Sequence, residues 1–228
     1  MKKVLFLLVF FASITVVLAQ DCKMFFPSEE GTQMEITNYD KNDKVTGKTV
    51  QHILKREEEG DKLSITVNHE SFDKKDEKVA DGEFTVTCED GVFYMDMRNY
   101  IDDEALAAYE NMEIAVDASN MSFNSDVEVG DKLPDASITI KASSSGVNMF
   151  TMTVMITNRE VTGREEISTP AGTFNCLKIT YDIETKMLVK VQAKAVEWIA
   201  EDVGVVKSES YNKNGKLQGY SLLTALNQ

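Results

Sequence analysis

Two histidines, three cysteines and 38 acidic residues are the groups from which this 228-residue chain could build chemistry. A nucleophilic hydrolase needs a hydroxyl or thiol beside an imidazole that a carboxylate holds in place. Only His52 and His69 can supply the imidazole, and no Gly-x-Ser-x-Gly elbow is present. Each histidine lies in a polar, strand-like context, where a solvated ring is expected. Zinc chemistry is equally poorly provided for, with no His-Glu-x-x-His and no closely spaced pair of histidines. Two acidic groups could attract calcium: Asp126, Glu128 and Asp131, and Asp40, Asn42 and Asp43. Neither follows the twelve-residue calcium loop, and acid-rich turns are ordinarily solvated faces. Glycoside hydrolysis requires two carboxylates about 5–10 Å apart across a sugar site. So many acids form such pairs by chance, and nothing singles out two. The chain is therefore expected to carry no catalytic residue, metal or cofactor, and a hydrolase ranks third among its readings.

The cysteines are Cys22, Cys88 and Cys176. Separations of 66 and 88 residues do not resemble a zinc site, whose ligands cluster in short pairs. Cys88 shares an apolar phase with Phe84 and Val86, and Cys176 shares one with Phe174, so either could be a small buried hydrophobe. In an oxidising compartment a disulfide is expected. Cys22 to Cys88 is the favoured pair, tying the N-terminus to a core strand and leaving one thiol over.

Methionine is the one unusual component, at 11 residues. Thioethers are flexible and polarizable and line adaptable apolar surfaces. An apolar pocket is expected around Met95, Met97, Phe150, Met152 and Trp198, on the inside of a curved sheet. The plainer alternative is that these side chains fill an irregular core.

The elements that must position such a pocket are strands. Leu63, Ile65 and Val67 alternate with polar residues, as do Phe84, Val86 and Cys88. Asp90-Gly91 is a hairpin turn. Ala136, Ile138, Ile140 and Ala142 lead through Ser143-Ser144-Ser145-Gly146 into Phe150, Met152, Val154 and Ile156, the cleanest hairpin in the chain. Val161 to Arg164 reads as a bend. Thr169-Pro170-Ala171-Gly172 and Asn214-Gly215 are further turns. Trp198 falls out of phase with Val189, Val191, Ala193 and Ala195, which predicts a bulge near Val196. Ile101 to Met112 changes period and, with Asp102, Asp103 and Glu104 at its start, predicts one short helix. No tandem repeat is evident.

The N-terminus reads as an export leader over residues 1–19. Lys2 and Lys3 precede an apolar run too short for a spanning helix, and small residues end at Ala19. A single β domain is expected over 20–228. Asp21 before Cys22 is a poor fit to a lipid-attachment site, so a soluble periplasmic or secreted protein is expected, not membrane-embedded. The formal net charge of −14 argues against nucleic acid and anionic membranes as partners.

Four motifs carry a resemblance: Asp21-Cys22-x-x-Phe25-Phe26-Pro27 with Gly31-Thr32, Val129-Gly130-Asp131-x-Leu133-Pro134-Asp135, Thr169-Pro170-Ala171-Gly172-Thr173-Phe174, and Gly204-Val205-Val206-Lys207-Ser208-Glu209. Together they resemble the TapB-like family of uncharacterised exported bacterial proteins. The resemblance implies an extracytoplasmic, mostly antiparallel β protein and no catalytic residues. The expected fold is mainly β, a large antiparallel sheet curled into a half-barrel or open barrel with one short helix; a β-sandwich is the alternative. The expected function is a non-enzymatic periplasmic binding or carrier protein for a lipid-like or other apolar ligand. A cell-envelope structural or protein-interaction module is the alternative.

Overall fold

The computed structural model describes residues 22–97 and 112–227. Strands follow one another with little between them: β1 (Gln33–Asp40), β2 (Val45–Glu59), β3 (Lys62–Asp73), β4 (Lys78–Glu89), β5 (Val92–Asp96), β6 (Glu113–Ala118) and β7 (Asn120–Asn124). The second half adds β8 (Ala136–Ser144), β9 (Val147–Thr169), β10 (Gly172–Lys186), β11 (Lys190–Ala200), β12 (Gly204–Asn212) and β13 (Leu217–Asn227). All thirteen join one antiparallel sheet in the order β6-β8-β9-β10-β11-β12-β13-β1-β2-β3-β4-β5-β7. The sheet curls into a nearly closed barrel with one unsealed seam. No helix occurs among the described residues, and the helix expected over Ile101 to Met112 falls outside them, apart from Met112 at their edge.

Period-two burial explains why these segments pair. On β8, Ala136, Ile138, Ile140 and Ala142 are buried while Ser137, Lys141 and Ser144 are exposed. Ile65 and Val67 on β3 and Val86 and Cys88 on β4 repeat the pattern against the same core. The 23-residue β9 continues as one strand through Val161 to Arg164, and the bend expected there takes the form of a bulge at Thr162, the extra residue between Val161, opposite Ile179, and Gly163, opposite Lys178. The pairing of β9 with β10 therefore shifts register twice, between Lys178 and Ile179 and between Thr180 and Asp182. Asn158 takes φ 55° beside the second of these. The bulge expected near Val196 is absent: β11 pairs with β10 without a break from Ile199 to Lys190, and the one shift against β12 leaves the extra residue, Val206, on β12, so Trp198 is out of phase because it faces the opposite side of an unbroken strand.

The seam lies where the chain passes from one edge of the sheet to the other. β6 pairs with β8 and β7 pairs with β5, although one residue, Ser119, joins β6 to β7. Ser119 is bonded to both sides. Its N–H donates to Ser137 O at 2.9 Å, its Oγ accepts from Ser137 N at 2.8 Å, and its carbonyl accepts from Met97 N at 3.2 Å. Below that point the loop between β7 and β8 is strapped to β9: Gly130 N donates to Val161 O, Val161 N to Asp131 O, and Leu133 N to Arg159 O. The buried Arg159 guanidinium then donates from Nη1 to Ser122 O of β7 at 3.1 Å and to Pro134 O at 2.6 Å. A cationic side chain thus satisfies carbonyls that no strand covers.

Alternation of strand direction sorts the turns into two ends. One end holds the turns β1–β2, β3–β4, β8–β9, β10–β11 and β12–β13; the other holds β2–β3, β4–β5, β9–β10 and β11–β12. At the second end the segment before β1 enters the barrel. Met24, Phe25, Phe26 and Pro27 are buried there, and Asp202 N donates to Met24 O. Cys22 is disulfide-bonded to Cys88 of β4, with Cα atoms 6.1 Å apart. Phe25 meets Phe123 at 5.2 Å between ring centroids and Phe26 meets Phe84 at 6.0 Å. One end of the barrel is therefore filled by the chain itself.

Candidate functional site

The unfilled part of the barrel forms a cavity of about 620 Å³. Its floor is the buried Phe25, Phe26 and Met34; its walls include Ile36, Phe84 and Met95. Exposure of the lining rises toward Thr46 and Val79, beside the β1–β2 and β3–β4 turns, which places the mouth at the first end. Residues 78–85 of β4 pair with β3, whereas β5 reaches only 86–89, so the mouth extends along the upper seam among the described residues.

Polar side chains alternate with the apolar ones around the lining: Asn38, Lys48, Thr49, Gln51, His69, Ser71, Asp73, Glu197, Ser208 and Ser221. Gln51 and His69 face in from β2 and β3, with the His69 ring 5.8 Å from that of Phe84. Glu197 of β11 also lines the cavity and accepts a 2.8 Å hydrogen bond from the Tyr181 hydroxyl. Burial pushes the Glu197 carboxyl above the ordinary carboxylate range, against the opposing pull of Tyr181 and of the Arg159 charge. A carboxyl at this position can accept from a ligand's polar group and, when protonated, donate to it.

Of the five residues expected to line a pocket, Met95 lines this cavity. Met97 is 1% exposed and part of the packed core, and Met152 rests half-buried against that core from β9. Phe150 is half-buried higher on β9. Trp198 follows Glu197 on β11 and so faces the other side of the sheet. There its indole N–H donates to Glu165 at 2.7 Å, and the Lys178 and Lys207 ammonium groups lie 5.2 and 4.7 Å from its ring. Bonds from Lys178 and then Trp198 hold the Glu165 carboxyl below its usual range. His69, expected in solvent, is instead a cavity residue. The aromatic floor from Phe25 and Phe26 was legible only as part of a motif, because residues before β1 carry no strand period.

Cys176 is 1% exposed, and burial pushes its thiol up to about 11, which leaves it a packing residue. A second hollow of about 530 Å³ lies at the other end, with Lys23, Asp126, Glu128, Arg164 and Glu201 around it. Those charges of both signs sit in open, solvated positions. Among the described residues, no group of three or more histidine, cysteine or acidic side chains is arranged to hold a metal ion.

A curled antiparallel sheet around an open-ended cavity is the class of protein that fold and site define. The chain belongs to the DUF3108-like family, whose model matches residues 29–223. The TapB-like resemblance is thereby corrected: its motifs are turns, the seam strap and the Gly204 close approach, features of a curled sheet that do not separate one such family from another. Two solved structures share the fold. One is a candidate exported protein with a YmcC-like fold from Bacteroides fragilis, at 24% identity and TM-score 0.76, covering 91% of this chain and 100% of that one. The other is a candidate lipoprotein from Parabacteroides distasonis, at 24% identity and TM-score 0.77, with the same coverage. No curated protein matches the sequence.

Proposed function

We propose that this chain is a non-catalytic, exported binding protein whose barrel holds one elongated apolar molecule with a hydrogen-bonding group. The observation that carries the reading is the cavity itself: about 620 Å³, with an aromatic and aliphatic floor of Phe25, Phe26, Met34, Ile36, Phe84 and Met95 and polar groups that include Gln51, His69 and Glu197, with Lys48 and Asp73 also in the lining. That volume lies within the range of small-molecule sites, which combine an apolar lining with a few placed polar groups. Among the described residues, the plug closes one end and the mouth at the other gives the route in. The export leader expected over residues 1–19 supports an envelope setting, as do the exported and lipoprotein descriptions of the two proteins that share the fold. Native mass spectrometry of purified protein, followed by organic extraction, tests the proposal. A bound apolar species released by extraction is expected. A protein that stays at its bare mass after incubation with long-chain fatty acids, phospholipids and isoprenoids would overturn it.

A further inference from the structure

We propose that the open end of the barrel docks on an anionic lipid surface through the β10–β11 hairpin and a ring of lysine-bearing turns. Three turns at this end are built alike. In Asp40-Lys41-Asn42-Asp43-Lys44, Asp73-Lys74-Lys75-Asp76-Glu77 and Asn212-Lys213-Asn214-Gly215-Lys216, the first side chain accepts from the backbone N–H groups two and four residues on, at 2.8–3.1 Å. In each the fourth residue has positive φ: 63° at Asp43, 67° at Asp76 and 76° at Gly215. The shared geometry fixes the exposed lysines of all three turns on one rim: Lys41 and Lys44, Lys74 and Lys75, Lys213 and Lys216. The same turns carry five carboxylates, Asp40, Asp43, Asp73, Asp76 and Glu77, whose hydrogen bonds fix them in place without removing their charge, so the turn lysines outnumber them by one and the further positive charge comes from the hairpins. Asp40, Asp73 and the Asn212 amide hold turn amides, Asp43 accepts from Tyr220 at 2.8 Å, and Asp76 pairs with Lys48 at 2.8 Å. Glu77 is left as an exposed acid.

The β10–β11 hairpin supplies the apolar part. Leu188 is 94% exposed and Val189 71%, with Met187 and Val191 beside them. Lys186 and Lys190 bracket the tip, Lys190 paired with Glu184. The neighbouring β8–β9 hairpin overhangs it, because Thr153 lies opposite Lys186, and it presents exposed Val147 and Met149. No acidic residue occurs over 136–158 or 185–196 in a chain with 38 of them; among the described residues of the adjoining edge strand, Glu113 lies opposite Ser143. The opposite end carries Glu57-Glu58-Glu59, Glu89-Asp90 and Glu201-Asp202 at its turns.

An exposed apolar tip ringed by lysines matches the two layers of an anionic bilayer surface, acyl boundary and headgroups. The net charge of −14, which alone would repel such a surface, here acts as an orienting field, because the acidic end is pushed away while the lysine end is drawn in. Docking in this pose points the cavity mouth at the lipid, and it stands whether or not the cavity is loaded.

The test is co-sedimentation of purified protein with phosphatidylcholine vesicles, with and without about a third phosphatidylglycerol, at low and high salt. Binding to the anionic vesicles at least tenfold tighter than to neutral ones is expected, weakening with salt. Leu188→Asp, fully exposed and so neutral for folding, is expected to lower it about tenfold. The triple variant Lys41→Glu, Lys74→Glu, Lys213→Glu is expected to abolish the salt-sensitive part. Equal or absent binding to the two vesicle types would overturn the proposal, as would full binding by Leu188→Asp. Concentration-dependent self-association of the wild type, lost in Leu188→Asp without vesicle binding, would overturn it in favour of a contact between copies.

Discussion

At the scale of single residues, Arg159 and Glu197 show how the barrel tolerates charge inside. Arg159 closes the seam by donating to two carbonyls that lack strand partners. Truncation to alanine strips both buried acceptors, and charge-assisted hydrogen bonds contribute more than neutral ones, so a loss of about 2–4 kcal/mol is expected. Chemical denaturation of Arg159→Ala measures it, and a loss below about 0.5 kcal/mol would mean the seam is held elsewhere. Glu197 works the other way. Its folded-state carboxyl titrates above its ordinary value because burial disfavours the charge. The native state therefore holds a proton the unfolded chain has released, and stability falls as pH rises from the ordinary carboxylate value through the raised one. Glu197→Gln keeps an acceptor for Tyr181 and removes the charge. It is expected to be at least as stable as wild type at pH 7 and to flatten stability against pH over that window. A variant less stable than wild type at pH 7 would show that the carboxylate is fully compensated.

At the scale of elements, strand alternation made most of the sheet legible. The pattern of Ala136 to Ile156 specifies its hairpin, and Asp90-Gly91 specifies another, with both residues at positive φ. What stayed hidden were the long-range joins. A 23-residue strand reads as two because its bulges break the period near Asn158, and the crossing at Ser119 depends on edges brought together only by closure. The repeated five-residue turn escaped notice because three copies with different letters, separated by unequal distances, form no tandem period; its readable signature is Asp or Asn followed three residues later by Asp or Gly. Asn212 already replaces aspartate in one copy, so Asp73→Asn is expected to keep the neutral-pH melting temperature, while Asp73→Ala, with no acceptor, lowers it. Backbone bonds from Glu77 and Lys75 hold the Asp73 carboxyl below its ordinary value. Its contribution is thus present above that ordinary value and lost as pH falls through the depressed one. Melting curves by circular dichroism at pH 7 and pH 3 distinguish the variants: Asp73→Asn should lose less than wild type on acidification.

At the scale of the whole molecule, the fold divides a barrel into a plugged end and an open one. The plug rests on the buried Phe25 and Phe26 and on the Cys22–Cys88 disulfide, which closes a loop of 66 residues. A cross-link of that span restricts the unfolded chain by about 4 kcal/mol in the loop-entropy picture. Reduction, or Cys22→Ala with Cys88→Ala, is expected to lower the melting temperature markedly while leaving the strand spectrum unchanged below it. The cavity exists because the segment before β1 fills one end only, and residue-level sequence reading placed the methionines there more readily than the phenylalanines that form its floor. The central claim is that this space receives an apolar ligand. Its most direct test is a titration with a dansylated undecanoic acid, comparing wild type with Ala80→Trp, which fills the cavity from its β4 wall. Saturable one-site binding with a blue-shifted emission is expected for wild type, weakened at least tenfold in Ala80→Trp with the fold intact. No saturable binding by wild type, or equal binding by the filled variant, would contradict the account.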